Sequence, residues 1–420
     1  MSDSVSLFEE SGPQQWIGYD ESTEKYYVFP SAIKYLKTLT RPLAIISVVG
    51  LYRTGKSYLL NRILDAPKDQ CFKVSPTVKS CTKGLWLMAP VLHREHYDIL
   101  VTDTEGLGSL SATATHDSRV FSLALLLSST FLYNSCGAIN ETSLNNMSLV
   151  SSIASHIHLT TGKDTSNKDL SSCFPKFIWV ARDFSLQIVD DNGHPTDATT
   201  YFNNALKVAP NCDPEESKNK VRVAINNLFP PEKRRCVCMV RPCTDESKLQ
   251  VLPQLPDSEL RPEFLESLKV LKETIFEQCT PMTIPGQEGM QMNGPLLATL
   301  CQTYVDAMNS NKVPVIRDSW SMLSETECAR VSEETRKRWH NESKAIDESL
   351  SVQKTKETLE TIVASMLAHY DSCAVGASAQ STRETLEEEM RSGIQTLLES
   401  ARLRSKDRMR GRLQELERKA

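Results

Sequence analysis

GLYRTGKS, residues 50 to 57, follows the β-branched run LAIISVV at Leu43 to Val49 and leads into a helical pattern. The spacing GxxxxGKS between a strand and a helix specifies a phosphate-binding loop. Gly50 and Gly55 let the backbone turn and present its N–H groups to phosphate oxygens. Lys56 reaches the β- and γ-phosphates, and Ser57 offers its hydroxyl to Mg²⁺. The helix that starts near Ser57 points its positive end at the phosphates. Tyr52, Thr54 and Tyr58 complete the candidate nucleotide-binding stretch. Arg53 is the residue such a loop does not need. It reads either as an exposed arginine paired with a carboxylate or as a cation for the transferring phosphoryl group. Cations as close as Arg53 and Lys56 repel each other without an anion between them, which fits a polyphosphate ligand.

Further motifs follow. SCTKG (Ser80 to Gly84) offers the hydroxyl that a switch segment needs for Mg²⁺. Thr82 is the leading candidate, Ser80 is placed to orient water or relay its proton, and Ser75 and Thr77 compete. TDTEGLG (Thr102 to Gly108) follows the apolar run YDILVT, residues 97 to 102. Asp103 is placed to hold Mg²⁺ through water, Gly106 to offer its N–H to the γ-phosphate, and Glu105 to join a network that positions water. A plain turn is the alternative for DTEG. ARDF (Ala181 to Phe184) ends the run FIWVA. A carboxylate there accepts hydrogen bonds from the ring N–H and the exocyclic amine of guanine. At those positions adenine offers a ring lone pair and no amine, so Asp183 selects GTP over ATP. Arg182 brings a planar guanidinium to stack on the base. RD departs from the Asn/Thr-Lys-x-Asp of most GTPases.

Composition bounds the reading. The 420 residues are 40% hydrophobic and 24% charged, as in a globular protein with two or three cores. The net charge of −5 supplies no basic field, so nucleic acid is not an expected partner. The 12 cysteines include no CxxC pair, and CVC at Cys236 to Cys238 sits in an apolar run; they read as reduced thiols of a cytoplasmic protein. VFSLALLLSSTFLYNSCGAI, residues 120 to 139, has the length of a membrane span, but its serines and Asn134 break it. A helix over Val120 to Leu127 followed by a strand over Thr130 to Tyr133 explains it better. The ending ELERKA lacks a cysteine for prenylation and Ser2 cannot be myristoylated, so a lipid anchor is not expected.

Proline marks the main boundary. All 20 prolines lie at or before Pro314, and the last 106 residues hold none. The first part alternates strands (43–49, 97–102, 177–181 and CVCMV at 236–240) with helical patterns. Buried strands with polar residues at their C-terminal ends indicate a mainly parallel sheet covered by helices. The second part is helical. Val352, Leu359, Ile362, Val363, Met366 and Tyr370 repeat at helical steps, as do Leu386, Met390, Ile394, Leu397 and Ala401. Residues 401–420 carry eight Lys/Arg against three Asp/Glu, scattered around a solvated helix. The chain stops inside this pattern, which reads as a truncated helical region.

In this order the motifs resemble those of the guanylate-binding protein family, large dynamin-related GTPases. The resemblance covers nearly all of residues 1 to 312. It rests on GLYRTGKSYLLN, SCTKGLW, DTEGLG, LLSSTFLYNS, RDFSL, RPCTDESKL, PEF and NGPLLATLCQTYVDAMNSNKVP. It implies that Arg53 is an internal arginine finger, that Ser80 positions water, that Thr82 binds Mg²⁺, that Glu105 belongs to the catalytic network and that Asp183 reads guanine. Arg241 and Pro242 match the start of the family's guanine cap, a loop over the base that forms the dimer contact. The departures are Cys81 where His is common, Ser109 where Asp is common, and Val180 where Thr is usual.

The expected fold is α/β: a P-loop GTPase domain at 1–312 with a mainly parallel central sheet, then an all-α middle or stalk domain at 313–420. The expected activity is Mg²⁺-dependent hydrolysis of GTP to GDP, with GMP as a further product to be tested. Lys56 joins Arg53, Ser80 and Glu105 as the expected catalytic set. The expected partners are GTP, GDP and a second copy paired through the GTPase domains, with recruitment to membranes through helical or missing regions. One rival is a GTP-regulated scaffold without catalysis. Another is an atlastin-like membrane-remodelling GTPase, against which the lack of a paired transmembrane hairpin argues.

Overall fold

The computed structural model describes residues 11–74, 82–109, 113–148, 171, 173–190, 192–208, 217–283, 291–310, 316–347, 349–374 and 379–419. Its first part runs β1 (Gly12–Asp20), β2 (Lys25–Val28), α1 (Pro30–Thr38), β3 (Leu43–Gly50) and α2 (Lys56–Leu64). Next come β4 (Leu85–Ala89), β5 (Leu92–His93), β6 (Asp98–Thr104), α3 (Ala114–Leu126) and β7 (Thr130–Cys136). After α4 (Glu141–Asn145) follow β8 (Lys176–Arg182) and β9 (Arg234–Cys238). One sheet holds them in the order β2-β1-β4-β6-β3-β7-β8-β9, with β5 beside β6.

The strands β6, β3, β7, β8 and β9 run parallel to one another, as the apolar runs predict. β3 lies in the middle, and all eight of its residues are buried. A strand covered on both faces has no need of polar alternation. On one face Ile46 and Val48 pack with Leu59 and Ile63 of α2 and with Phe264, Leu268, Leu271 and Ile275 of the helix Pro262–Gln278. Elsewhere an aromatic cluster centres on Phe177, whose ring lies 4.7 Å from Phe229 and 5.8 Å from Phe202.

The sheet is larger than the apolar runs suggest. β1, β2 and β4 add an antiparallel extension beside β6. β1 reads GPQQWIGYD, with glycine, proline and glutamine where a strand signal needs alternation. β9 begins at Arg234, ahead of the expected start at Cys236. Arg234 is buried, but its guanidinium donates to Asn203 Oδ1, Asn226 Oδ1 and the Phe229 carbonyl. A buried charge met by such acceptors is tolerated, and a hydropathy pattern does not see it.

The chain divides into two compact units, Met1–Ser319 and Trp320–Ala420. The junction expected at 312/313 touches residues 311–315, outside the described residues. The helices Val352–Cys373 and Ala379–Lys419 bury Val363, Met366, Tyr370, Leu386 and Met390 with Val331 in one cluster. Leu359 and Ala401 are also buried, and Ile362 and Ile394 pack on that cluster. No described helix is long and apolar enough to cross a membrane.

Candidate functional site

The loop between β3 and α2 is shaped by its neighbours. A Cβ on Gly50 would overlap the Asn134 carbonyl oxygen of β7, so only glycine fits that crossing. Asn134 also donates from Nδ2 to the Thr54 carbonyl (2.9 Å), and Thr54 Oγ1 donates to the Leu51 carbonyl (2.7 Å). Leu107 N–H donates to Gly50 O (3.1 Å) and Tyr52 N–H to Leu107 O (2.8 Å). The phosphate-type loop and the DTEGLG turn are therefore zipped together. Gly106 lies in that seam: a Cβ there would sit 2.5 Å from Tyr52 Cα and 3.0 Å from Lys56 Nζ.

Asp103, next to last in β6, is fully buried. Its Oδ2 accepts from Ser57 Oγ (2.6 Å) and from Thr82 Oγ1 (3.2 Å), while the buried Oδ1 has no hydrogen-bond partner among the described residues. Burial pushes the Asp103 carboxyl up, opposed by Ser57, Lys56 and Thr82. Burial pulls the Lys56 ammonium down to about 8, against the pull of Asp103 and Glu105. Lys56 Nζ donates to the Leu51 carbonyl (3.1 Å). Lys56, Ser57 and Thr82 open on a cleft of ≈ 540 Å³, also lined by Tyr52, Arg53, Gly55, Tyr58 and Arg182, with Asp103 buried behind them. Two hydroxyls around a carboxylate with one unpartnered oxygen form an all-oxygen set, which suits a hard cation such as Mg²⁺ that keeps most of its waters.

Arg53 is exposed, holds φ +66° and lies 5.7 Å from the Tyr52 ring centroid. Tyr58 is buried, and its hydroxyl finds no partner among the described residues. Arg182 is buried as well, its guanidinium 5.9 Å from the Phe264 ring, with Nη1 3.7 Å from the Cβ position of Gly55. It sits behind the loop, and burial lowers its affinity for its proton. Asp183 is exposed at φ +55°, and its Oδ2 lies 3.7 Å from Arg241 Nε. The residue expected to read the base and the residue expected to open the cap therefore meet. Pro242 is buried and its carbonyl accepts from Arg261 N–H (2.8 Å).

Ser80 and Cys81, with Ser75 and Thr77, lie outside the described residues. Glu105 turns away from the cleft, and its Oε2 accepts from Gly84 N–H (3.0 Å). Ser109 is buried, and Val180 is buried within β8. Sequence reading passed over Asn134, although a polar residue within a buried strand was a usable signal. It also passed over Gln250 to Gln254, which wall the cleft from more than 190 positions beyond Ser57 and carry no motif.

Two family models match the chain: Guanylate-binding protein, N-terminal domain, over residues 23–284, and Guanylate-binding protein, C-terminal domain, over residues 288–419. Guanylate-binding protein 2 of Homo sapiens is 36% identical over 323 residues, 75% of this chain and 53% of that protein. Guanylate-binding protein 1 of Chlorocebus aethiops is 35% identical over 315 residues, 73% of this chain and 52% of that protein. Guanylate-binding protein 5 of Mus musculus is 36% identical over 315 residues, with the same shares of 73% and 52%. The chain spans about half the length of the curated relatives it matches.

Proposed function

The chain belongs to the guanylate-binding protein family, and from that premise we propose that it is a Mg²⁺-dependent GTPase cleaving GTP to GDP. The observation that carries this reading is the meeting of Ser57 and Thr82 on Asp103, with Lys56 beside them, in one cleft under the loop. Ser57 and Thr82 would hold the metal directly and Asp103 through water. When bound, Mg²⁺ neutralises charge on the β- and γ-phosphate oxygens.

The chain's own groups do the rest. Loop N–H groups and the positive end of α2 bind the phosphates. Lys56 exchanges its bond to the Leu51 carbonyl for phosphate oxygens. Water adds to the γ-phosphorus while the bond to the β–γ bridging oxygen breaks. Ser80 orients that water, while Glu105, turned toward Gly84, acts from behind on the segment that carries Thr82. Asp183 accepts the two guanine N–H donors in exchange for its exposed contact with Arg241. Arg53 supplies positive charge as the phosphoryl group transfers, and pairing of two heads through the cap at Arg241 and Pro242 excludes water around it.

Single-turnover hydrolysis of GTP and ATP, with Mg²⁺ and with chelator, tests the reading. The expected result is hydrolysis of GTP alone, requiring Mg²⁺ and lost in Lys56→Ala. The same products also show whether GDP goes on to GMP. Asp183→Asn is expected to lower GTP affinity and to favour xanthosine triphosphate, whose base carries a carbonyl in place of the amine. Equal affinity of the unaltered chain for ATP and GTP would remove Asp183 from its role.

A further inference from the structure

Behind the DTEGLG turn lies a buried polar chain that the hydrolysis scheme leaves unused. Tyr26 of β2 is buried, and its hydroxyl lies 2.7 Å from His116 Nδ1. The two rings stack at 5.6 Å with planes 7° apart. His116, on the first turn of α3, is buried too, and its Nε2 lies 3.2 Å from Glu105 Oε2. Gly84 N–H donates to the same oxygen at 3.0 Å, while Glu105 N–H donates to Gly84 O at 2.8 Å. One chain of contacts thus joins β2, α3, the DTEGLG turn and Gly84, which lies just before β4 and two residues beyond Thr82.

The proton positions follow from the partners. An ionised carboxylate only accepts, so Nε2 of His116 carries the proton it donates to Glu105. Nδ1 then faces a phenol that burial keeps protonated far above its ordinary range. Glu105 Oε2 takes both described bonds, and no bond to Oε1 is found among the described residues. A carboxylate anchored through one oxygen keeps the other for a further donor.

We propose that His116 is a positioning residue: it anchors Glu105 through Oε2, and through Glu105 it fixes Gly84 and the segment that carries Thr82. Its catalytic consequence rests on the GTPase reading above; the anchoring itself does not. Tyr26 in turn fixes the imidazole. A bond to a charged group contributes more than a neutral one, so its loss is expected to change rates about tenfold.

Amide exchange and kinetics on the full chain test this together. In nucleotide-free protein, His116→Ala is expected to speed exchange at Gly84 about tenfold, with a smaller effect in Tyr26→Phe. His116→Gln keeps a donor near the Nε2 position and should restore slow exchange. In single turnover, His116→Ala should lower the hydrolysis rate about tenfold while nucleotide affinity stays within about twofold, and His116→Gln should recover the rate. Unchanged Gly84 exchange in His116→Ala overturns the proposal. So does an equal loss in the Ala and Gln variants, or a parallel fall of affinity, rate and melting temperature, which marks a packing role. If the unaltered chain hydrolyses no GTP, the functional reading fails, while Gly84 exchange still decides the anchoring.

Discussion

Arg53 and Asp183 share an uncommon backbone: both are non-glycine residues with positive φ, +66° and +55°. Aspartate tolerates that region through local hydrogen bonding, but arginine holds it at a cost of about 1 kcal/mol or more. The loop is held by Asn134 and Leu107, so the strain persists where the side chain meets the cleft. Two substitutions separate the cation from the conformation. Arg53→Ala is expected to bind GTP within roughly tenfold of the unaltered chain and to lose at least about a hundredfold in turnover, near 2.7 kcal/mol of barrier. Arg53→Gly removes the same charge but relaxes the backbone, so it should melt higher than Arg53→Ala at the same low turnover. Normal turnover in either variant would leave Arg53 as a surface arginine. Gly106→Ala makes a different point. Its Cβ would press on Tyr52 Cα at 2.5 Å and Lys56 Nζ at 3.0 Å, so the seam must open. Nucleotide affinity is expected to fall by more than about tenfold, read by titration with a fluorescent GTP analogue.

At the scale of elements, the site depends on how β3 and α2 are backed. The helix Pro262–Gln278 lays Phe264, Leu268, Leu271 and Ile275 on the same core as α2 and β3. Removing a buried leucine side chain there leaves a cavity, so Leu268→Ala is expected to cost about 2–5 kcal/mol. Denaturant unfolding should show it as a lower midpoint with nucleotide contacts intact in the folded fraction. Lys272 of that helix pairs with Asp65 at the end of α2, and Arg62 of α2 pairs with Asp257 just ahead of the helix, but Asp257 and Asp65 are exposed. Exposed pairs contribute about 0–1 kcal/mol, so Asp257→Ala should be nearly silent in the same assay.

At the scale of the whole molecule, the units Met1–Ser319 and Trp320–Ala420 carry separate cores. We expect the helical unit to unfold on its own: Leu386→Ala should lower its transition and leave nucleotide binding unchanged. A fragment of residues 1–319 should still bind GTP, and loss of binding in a folded fragment would show that the helical unit is needed. Specific activity of the full chain should rise with protein concentration as heads pair, and constant activity across the dimerisation range would refute pairing. Much of this architecture was legible in the chain itself. The runs at β3, β6, β7 and β8 are continuous and apolar because both of their faces are covered, and the proline-free tail repeats its apolar residues at helical steps. Local order and burial pattern are short-range properties, and so they are written in neighbouring letters. The sequence by itself also determined the tight turn between β3 and α2, since Gly50 and Gly55 stand where a close backbone crossing or a positive φ excludes a side chain. Only the tertiary structure decided that Asp103 takes Ser57 and Thr82 on one oxygen, that Arg182 lies buried behind Gly55, and that Glu105 turns to Gly84 and His116. It also decided that β1, β2 and β4 extend the sheet. Those partners are separated by tens of residues and meet only because the sheet orders its strands out of sequence, a pairing that no local pattern encodes.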